Sequence, residues 1–313
     1  MSTALRALVP MLLISIVYIP YCAFAQATPV RVVRAALSPV ESHFGYLAAA
    51  TEFDKLIDPS NDTAVTEAIV ARLLDAAKQM AGPNPTDAYK LAAIRKAIYV
   101  AGPWNYNRAF SYDLADPLGQ NPKSRLLSTY IRTRKGNCVS MPILFLIIAD
   151  RMELNVHLAS APLHLFVRYT DSNGADHNLE ATSGGHEARA EWYRENLPMT
   201  DRAVQSGIYM RTLNKRESIA EMATTVVEFL LDEHRYREAI DVAEAILAVN
   251  PRDAFVMVKK GSAIAGLMQT EFIDKYPNPS LVPMALRPHY KMLAAANAKA
   301  FRDAEALGWE PEK

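Results

Sequence analysis

The chain has 313 residues, half of them apolar, and its 34 basic and 34 acidic side chains cancel to a formal charge of zero. That balance leaves no basic stripe for nucleic acid, and the apolar content excludes wholesale disorder. The length suffices for one large or two modest domains with proper cores, while two cysteines are too few for a disulfide framework.

The chain opens with a positively charged start over residues 1–6 and an apolar stretch over 7–19, too short to span a bilayer comfortably. Pro20 breaks the stretch, and Ala23-Phe24-Ala25 followed by Gln26 supplies a small-x-small cleavage site. This is the pattern of a secretory signal peptide, with cleavage predicted after Ala25 and export to the periplasm. The weaker alternatives are an uncleaved anchor, the only membrane contact the sequence suggests, or a lipoprotein modified at Cys22. The latter suffers because Pro20 and Tyr21 stand where small residues are wanted. Cleavage removes Cys22 and leaves Cys138 alone. In an oxidising compartment a lone thiol is a buried inert group, an intermolecular bridge or a nucleophile.

Residues 26–38 read as extended. Residues 41–56, 62–81 and 85–99 read as amphipathic helices, the second with Ala64, Ile69, Leu73, Leu74 and Ala77 on one stripe. Breakers separate them at Pro59-Ser60-Asn61-Asp62 and Gly82-Pro83-Asn84-Pro85. Residues 103–121 form a polar, aromatic-bearing loop, and 122–133 return to a helix. Residues 139–152 are apolar almost all round, which marks a central buried helix, and Pro142 belongs in its first turn. Short strands are predicted over 155–159, 163–170 and 175–180, with Asp171-Ser172-Asn173-Gly174 as a turn. After Thr182-Ser183-Gly184-Gly185 the pattern is helical to the end.

In the last third, Arg235 opens a helix that ends at Val249-Asn250-Pro251, and Asp253 opens another that carries Gly261. The spacing of Ala239, Pro251 and Gly261 resembles a tetratricopeptide repeat, in which small residues let paired helices pack closely. Only about one and a half repeats are visible where three are usual, and an ordinary helical hairpin explains the pattern as well. Either form is a packing element that could seat a protein partner. Pro277 and Pro279 break the chain before a last helix over 288–307.

A nucleophilic cysteine requires an ionisable thiol, a nearby imidazole and a group that orients the imidazole. Cys138 lies at or just before the start of the buried helix, where free amide N–H groups favour negative charge. Arg134 and Lys135 add positive charge close by, and Gly136 permits a tight approach of loop to helix. His164 opens an apolar strand and Glu180 closes the next. A hairpin centred on Ser172 would pair them directly and point both to one face. The ordinary alternatives are a core thiol, a satisfied strand-end histidine and a solvated carboxylate. His157, His164, His177 and His186 are spaced too irregularly for a compact metal site. Trp192 and Tyr193 read as core, and Ser183-Gly184-Gly185 as a turn.

The run Arg134-Lys135-Gly136-Asn137-Cys138, the apolar helix and a histidine opening a strand with Phe166 two residues on resemble the transglutaminase-like cysteine superfamily. The likeness is nearest to proteins with a SirB1-type core followed by tetratricopeptide-like helices. It implies an α+β, papain-like core, a buried helix packed on a small antiparallel sheet, with extra helices at the amino end and an all-helical carboxy-terminal region. The division is then a leader over 1–25, a transglutaminase-like domain with its amino-terminal helices over 26–205 and a helical region over 206–313. The resemblance implies acyl transfer without a cofactor or metal, with Cys138 as nucleophile, His164 as base and Glu180 as orienting carboxylate, where aspartate is usual. Trp104 and Asn121 are candidate oxyanion donors beside the Cys138 backbone N–H. The implied activity is an exported amidase or protease that hydrolyses an amide or peptide bond of a cell-envelope substrate. The competing expectation is a non-catalytic scaffold that binds a partner through its last helices.

Overall fold

The computed structural model describes residues 28–38 and 45–311, so the predicted leader, its cleavage site and Cys22 lie outside the described residues. Where extension is predicted over 26–38, helix α1 runs Pro29–Ala36. Pro29 presets the first turn, and Val33 and Ala36 bury themselves against the distant helix Tyr236–Leu247. That partner is some two hundred residues away in sequence, which is why local patterning gave no sign of it.

Helix α2 (Tyr46–Ile57) is buried over two-thirds of its length. Helix α3 (Thr63–Ala81) starts where Asp62 accepts hydrogen bonds from the N–H groups of Ala64 and Val65, capping the free donors. Its stripe buries Val70, Leu73, Leu74 and Ala77, whereas Ala64 is exposed. Helix α4 (Asp87–Tyr99) is capped by Thr86. The following loop contains a 3-10 turn, Pro103–Asn105, and strand β1 (Ser111–Tyr112). The helix predicted over 122–133 divides into a 3-10 turn, Pro122–Arg125, and helix α5 (Leu127–Thr133). Strand β2 (Lys135–Gly136) then pairs in parallel with β1.

Helix α6 (Ser140–Arg151) has every residue from Ser140 to Ala149 buried, with Pro142 in its first turn. It is the axle of the fold, surrounded by α2, α3, α4, α5 and the sheet. The sheet is antiparallel in the order β3 (Val156–Ala161), β4 (His164–Thr170), β5 (Asp176–Glu180) and β6 (His186–Ala188). β6 replaces what reads as the start of the helical region. It is three residues long and largely exposed, too short to show a period. Val156, Leu158, Val167, Tyr169 and Leu179 join the main core with α6, while Ala159, Ala161 and Phe166 pack on the opposite face against Tyr193 of helix α7 (Ala190–Asn196).

The β4–β5 register differs from the predicted one. Val167 pairs with Leu179 and Tyr169 with His177, so the hairpin is centred on Asn173 rather than Ser172. The cause lies in the loop: Asp171 accepts from the N–H groups of Asn173 and Ala175, and Gly174 takes the left-handed conformation at φ 82°. The displacement is two positions, so His164 and Glu180 keep a common face but stand diagonally instead of directly opposite.

The remainder comprises α8 (Asp201–Ser206), α9 (Lys215–Met222), α10 (Thr224–Asp232), α11 (Tyr236–Leu247), α12 (Ala254–Met268) and α13 (Arg287–Ala306). α12 packs between α11 and α13. A methyl group on Gly261 would come within 2.7 Å of the Phe301 ring, so the missing side chain sets how closely those helices approach. The main core takes in Val226, Val242, Ile246 and Val256 together with α6 and the sheet, and so runs across position 205. Among the described residues no helix is long and apolar enough to cross a membrane.

Candidate active site

The turn that carries the cysteine is built by Asn137. Its Oδ1 accepts from the N–H groups of Val139 and Ser140, both at 3.1 Å, and its own N–H donates to Ser140 Oγ at 3.2 Å. Cys138 is thereby fixed two residues ahead of α6. Gly136 is required just before it, because a methyl group there would sit 2.6 Å from the Tyr130 ring and 2.8 Å from Met141. The Cys138 side chain is buried, 3% exposed, and its Sγ donates to the Leu163 carbonyl at 3.3 Å.

Leu163 belongs to the two-residue link between β3 and β4, which Pro162 opens. It adopts φ 52°, a left-handed conformation that is strained for a residue with a side chain. The tight link brings its carbonyl and the next residue, His164, to the sulfur. The His164 ring shares a hydrogen bond with Cys138 and another, 2.7 Å long, between Nε2 and Glu180 Oε2. With Nε2 engaged by the carboxylate, Nδ1 is the ring nitrogen available to the sulfur.

Glu180 is fully satisfied although 95% of its surface is buried. Oε1 accepts from the Thr182 N–H at 3.0 Å and the Thr182 hydroxyl at 2.5 Å, and Oε2 accepts from His164 and from the Tyr193 hydroxyl at 2.9 Å. Burial works to raise its pKa, yet the hydrogen bond and charge of His164, with the two hydrogen bonds from Thr182, hold it below the usual carboxylate range. For His164 burial favours the neutral ring, but hydrogen bonds and charge from Cys138 and Glu180 prevail and lift it to about 9. The ring is therefore cationic at neutral pH.

Cys138 and His164 border a cavity of about 360 Å³, whose lining also includes residues of α9, α10 and the start of α12. The structure thus brings Cys138, His164 and Glu180 together, but not the two predicted oxyanion donors. Asn121 uses its Oδ1 to cap the Lys123 N–H and is exposed. Trp104 lies in the 3-10 turn Pro103–Asn105, with Lys96 over its ring, and borders a separate groove along α3. Both were plausible only because the 103–121 loop offers no pattern from which to place them. Gln120, next to Asn121, borders the cavity instead. Arg134 lies over the Phe110 ring and Lys135 is exposed, so neither borders the cavity.

Two groups were missed from sequence. Tyr193 is core, as its pattern indicates, but its hydroxyl also anchors Glu180. Tyr112 comes near through the parallel β1–β2 pairing, and burial followed by the charges at Cys138 and Glu180 pushes its phenol up. Local periodicity could reveal neither contact. The remaining histidines are dispersed: His157 bonds Tyr46, His177 lies between Glu187 and Asp171, and His186 is exposed. Among the described residues no three potential ligands gather to hold a metal ion.

Comparison with known proteins places this geometry in a family. The sequence profile of the transglutaminase-like superfamily matches residues 63–224, just over half of the chain. A UPF0162 protein of Buchnera aphidicola subsp. Schizaphis graminum is 26% identical over 185 residues, covering 57% of this chain and 64% of that protein. Another, from Buchnera aphidicola subsp. Acyrthosiphon pisum, is 25% identical over 63% of this chain and 70% of its own length. Protein SirB1 of Salmonella typhimurium is 25% identical over 53% of this chain and 60% of its own. The chain thus spans less than two thirds of the first of these relatives. No solved structure matches. The chain belongs to the transglutaminase-like superfamily, and its core is of the SirB1 type.

Proposed function

We propose that the protein is an exported cysteine hydrolase that cleaves an amide or peptide bond by acyl transfer. The observation that carries this reading is the relay from Glu180 through His164 to Cys138 at the wall of a cavity. The Cys138 thiolate, its proton already held on the His164 imidazolium, attacks the amide carbonyl; the C–S bond forms as the C=O π pair moves to oxygen, giving a tetrahedral oxyanion. The Cys138 N–H, ahead of α6, is placed to donate to that oxygen. As the intermediate collapses the C–N bond breaks, and the leaving nitrogen takes its proton from His164. The neutral imidazole then accepts a proton from water, whose oxygen attacks the thioester and releases the acid and the thiolate. Glu180 touches no reacting atom; it fixes the ring orientation and balances its charge.

Export and an envelope substrate rest on the leader-like pattern of the first 25 residues. The test is alkylation of the native full chain by iodoacetamide near pH 6, followed by peptide mapping. Rapid modification at Cys138, abolished in His164→Ala, is expected. Modification only after denaturation would defeat the enzyme reading. The low exposure of the sulfur supports one alternative, a scaffold in which Cys138 is an inert core thiol; in that case Cys138→Ala keeps full biological activity.

A further inference from the structure

Isolated exposed leucines are ordinary on a protein surface, but two of them border the cavity that holds the candidate nucleophile. Leu118 is 44% exposed and Leu163 is 47% exposed, and both line that cavity together with Cys138. Among the described residues neither belongs to any of the apolar clusters that build the core. Val139, next to Cys138 in sequence and half-buried, adds a third aliphatic group to the same lining. Arg125 and Lys259 of the lining both pair with Glu228, so these charges answer one another while the leucines are left uncovered.

Each leucine is fixed close to the sulfur by contacts of the backbone around it. The Leu163 carbonyl accepts from Cys138 Sγ at 3.3 Å, so this residue touches the thiol directly. Its φ of 52° is a conformation that glycine adopts freely, yet a leucine stands there. Leu118 precedes Gly119, whose φ of 61° and missing side chain let the loop lie against Asn137. A methyl group on Gly119 would come within 2.5 Å of the Asn137 amide nitrogen. Arg125 Nε donates to the Gly119 carbonyl at 2.5 Å, and the Gln120 N–H donates to Asp116 Oδ1 at 2.7 Å, which ties the loop down around Leu118. The two leucines are thus tethered to Cys138 and to the residue before it. A leucine held exposed against the sulfur, in a conformation that suits glycine, contributes contact area to a ligand rather than to the core.

We propose that Leu118 and Leu163 form a specificity subsite for a large aliphatic side chain on the residue that carries the scissile carbonyl. The substrate class is then a peptide or amide with a leucine-like residue on the acyl side of the bond. Such a side chain would cover both leucines and remove apolar surface from water, which a glycine at that position could not do. This deepens the hydrolase reading and rests on it for the position of the carbonyl at Cys138.

The test compares alkylation of Cys138 in the full chain by the chloromethyl ketones of N-acetyl-leucine, N-acetyl-glycine and N-acetyl-glutamate. Iodoacetamide serves as a probe without a side chain. Each rate is divided by that of the same compound with free cysteine and then by the glycine value in the same protein, so changes in thiol reactivity cancel. The leucine compound should be favoured about tenfold or more in the native chain, and the glutamate compound less than about threefold. Leu163→Gly suits the left-handed backbone and Leu118→Ala lies at an exposed position, so both should fold. In each the leucine preference should fall below about threefold, whereas leucines with a purely structural role would leave it at its native value. A native ratio near one, with iodoacetamide still reacting, would overturn the subsite and leave the hydrolase reading standing. A Cys138 that no compound modifies before denaturation would overturn both. A preference that survives both substitutions would overturn the assignment to these residues. Should one variant misfold, the other and the native ratios for leucine and glutamate still decide the matter.

Discussion

Glu180 reaches His164 across a diagonal of the β4–β5 hairpin, closing a 2.7 Å contact between residues two register positions out of line. Across that diagonal the glutamate side chain, one methylene longer than the aspartate the resemblance implies, spans the offset. Glu180→Asp should therefore leave the fold intact but break the contact. We expect the alkylation rate of Cys138 at pH 6 to fall by about tenfold or more, a barrier increase of about 1.4 kcal/mol, with an unchanged circular dichroism spectrum. An undiminished rate would mean that the carboxylate does not position the ring.

The same contact has a pH signature. His164 is raised from 6.5 to about 9, so its contribution to stability is complete below pH 6.5 and is lost as pH rises through about 9. Glu180 is lowered from 4.5, so its contribution is present above that value and is lost as pH falls through its depressed pKa. The pair should stabilise most between about pH 4.5 and 6.5. The difference in melting temperature between the native chain and Glu180→Gln, followed against pH, should be widest there and shrink towards pH 10. Titration of the His164 ring by NMR should have its midpoint near 9 and move down in the variant.

Tyr193 contributes both packing and a donor. Its ring stacks on Phe166 with centroids 4.4 Å apart, and its hydroxyl donates to Glu180. Tyr193→Phe keeps the stack and removes one of the four donors to a buried anion, at a cost of about 2 kcal/mol. Urea unfolding should show a lower midpoint with an unchanged slope. Tyr193→Leu, which also loses the stack, should be less stable still.

Gly136→Ala tests the tight turn before the cysteine. The added methyl would meet Tyr130 and Met141, both buried, and overpacking of this kind costs about 1–3 kcal/mol. Because β2 leads straight into the Asn137 cap, the displacement should reach the sulfur. A fall in both melting temperature and alkylation rate is expected; a fall in stability alone would show that the cap isolates the site from the turn.

What the sequence revealed follows the range of the forces involved. The α6 segment announces itself because it is apolar on every side, and β4 and β5 because their residues are β-rich and bounded by Asp171 and Gly174. The cysteine, histidine and glutamate were readable because each sits at the end of such an element. The register error arose within one loop, where Gly174 rather than Ser172 sets the geometry. Helix α1, strand β6 and the bond from Tyr193 to Glu180 were hidden because their partners are brought in by tertiary packing. Residue type suggested donors in Trp104 and Asn121, but neither lines the cavity: Asn121 caps the Lys123 N–H and Trp104 borders the groove along α3.

The cavity beside Cys138 is a joint construction. The matched superfamily segment ends at position 224, while Thr225, Glu228, Asn250, Asp253, Phe255 and Lys259 all contribute to the lining. Substitutions in α10 and α12 can therefore reshape this cavity while the sulfur, imidazole and carboxylate stay untouched.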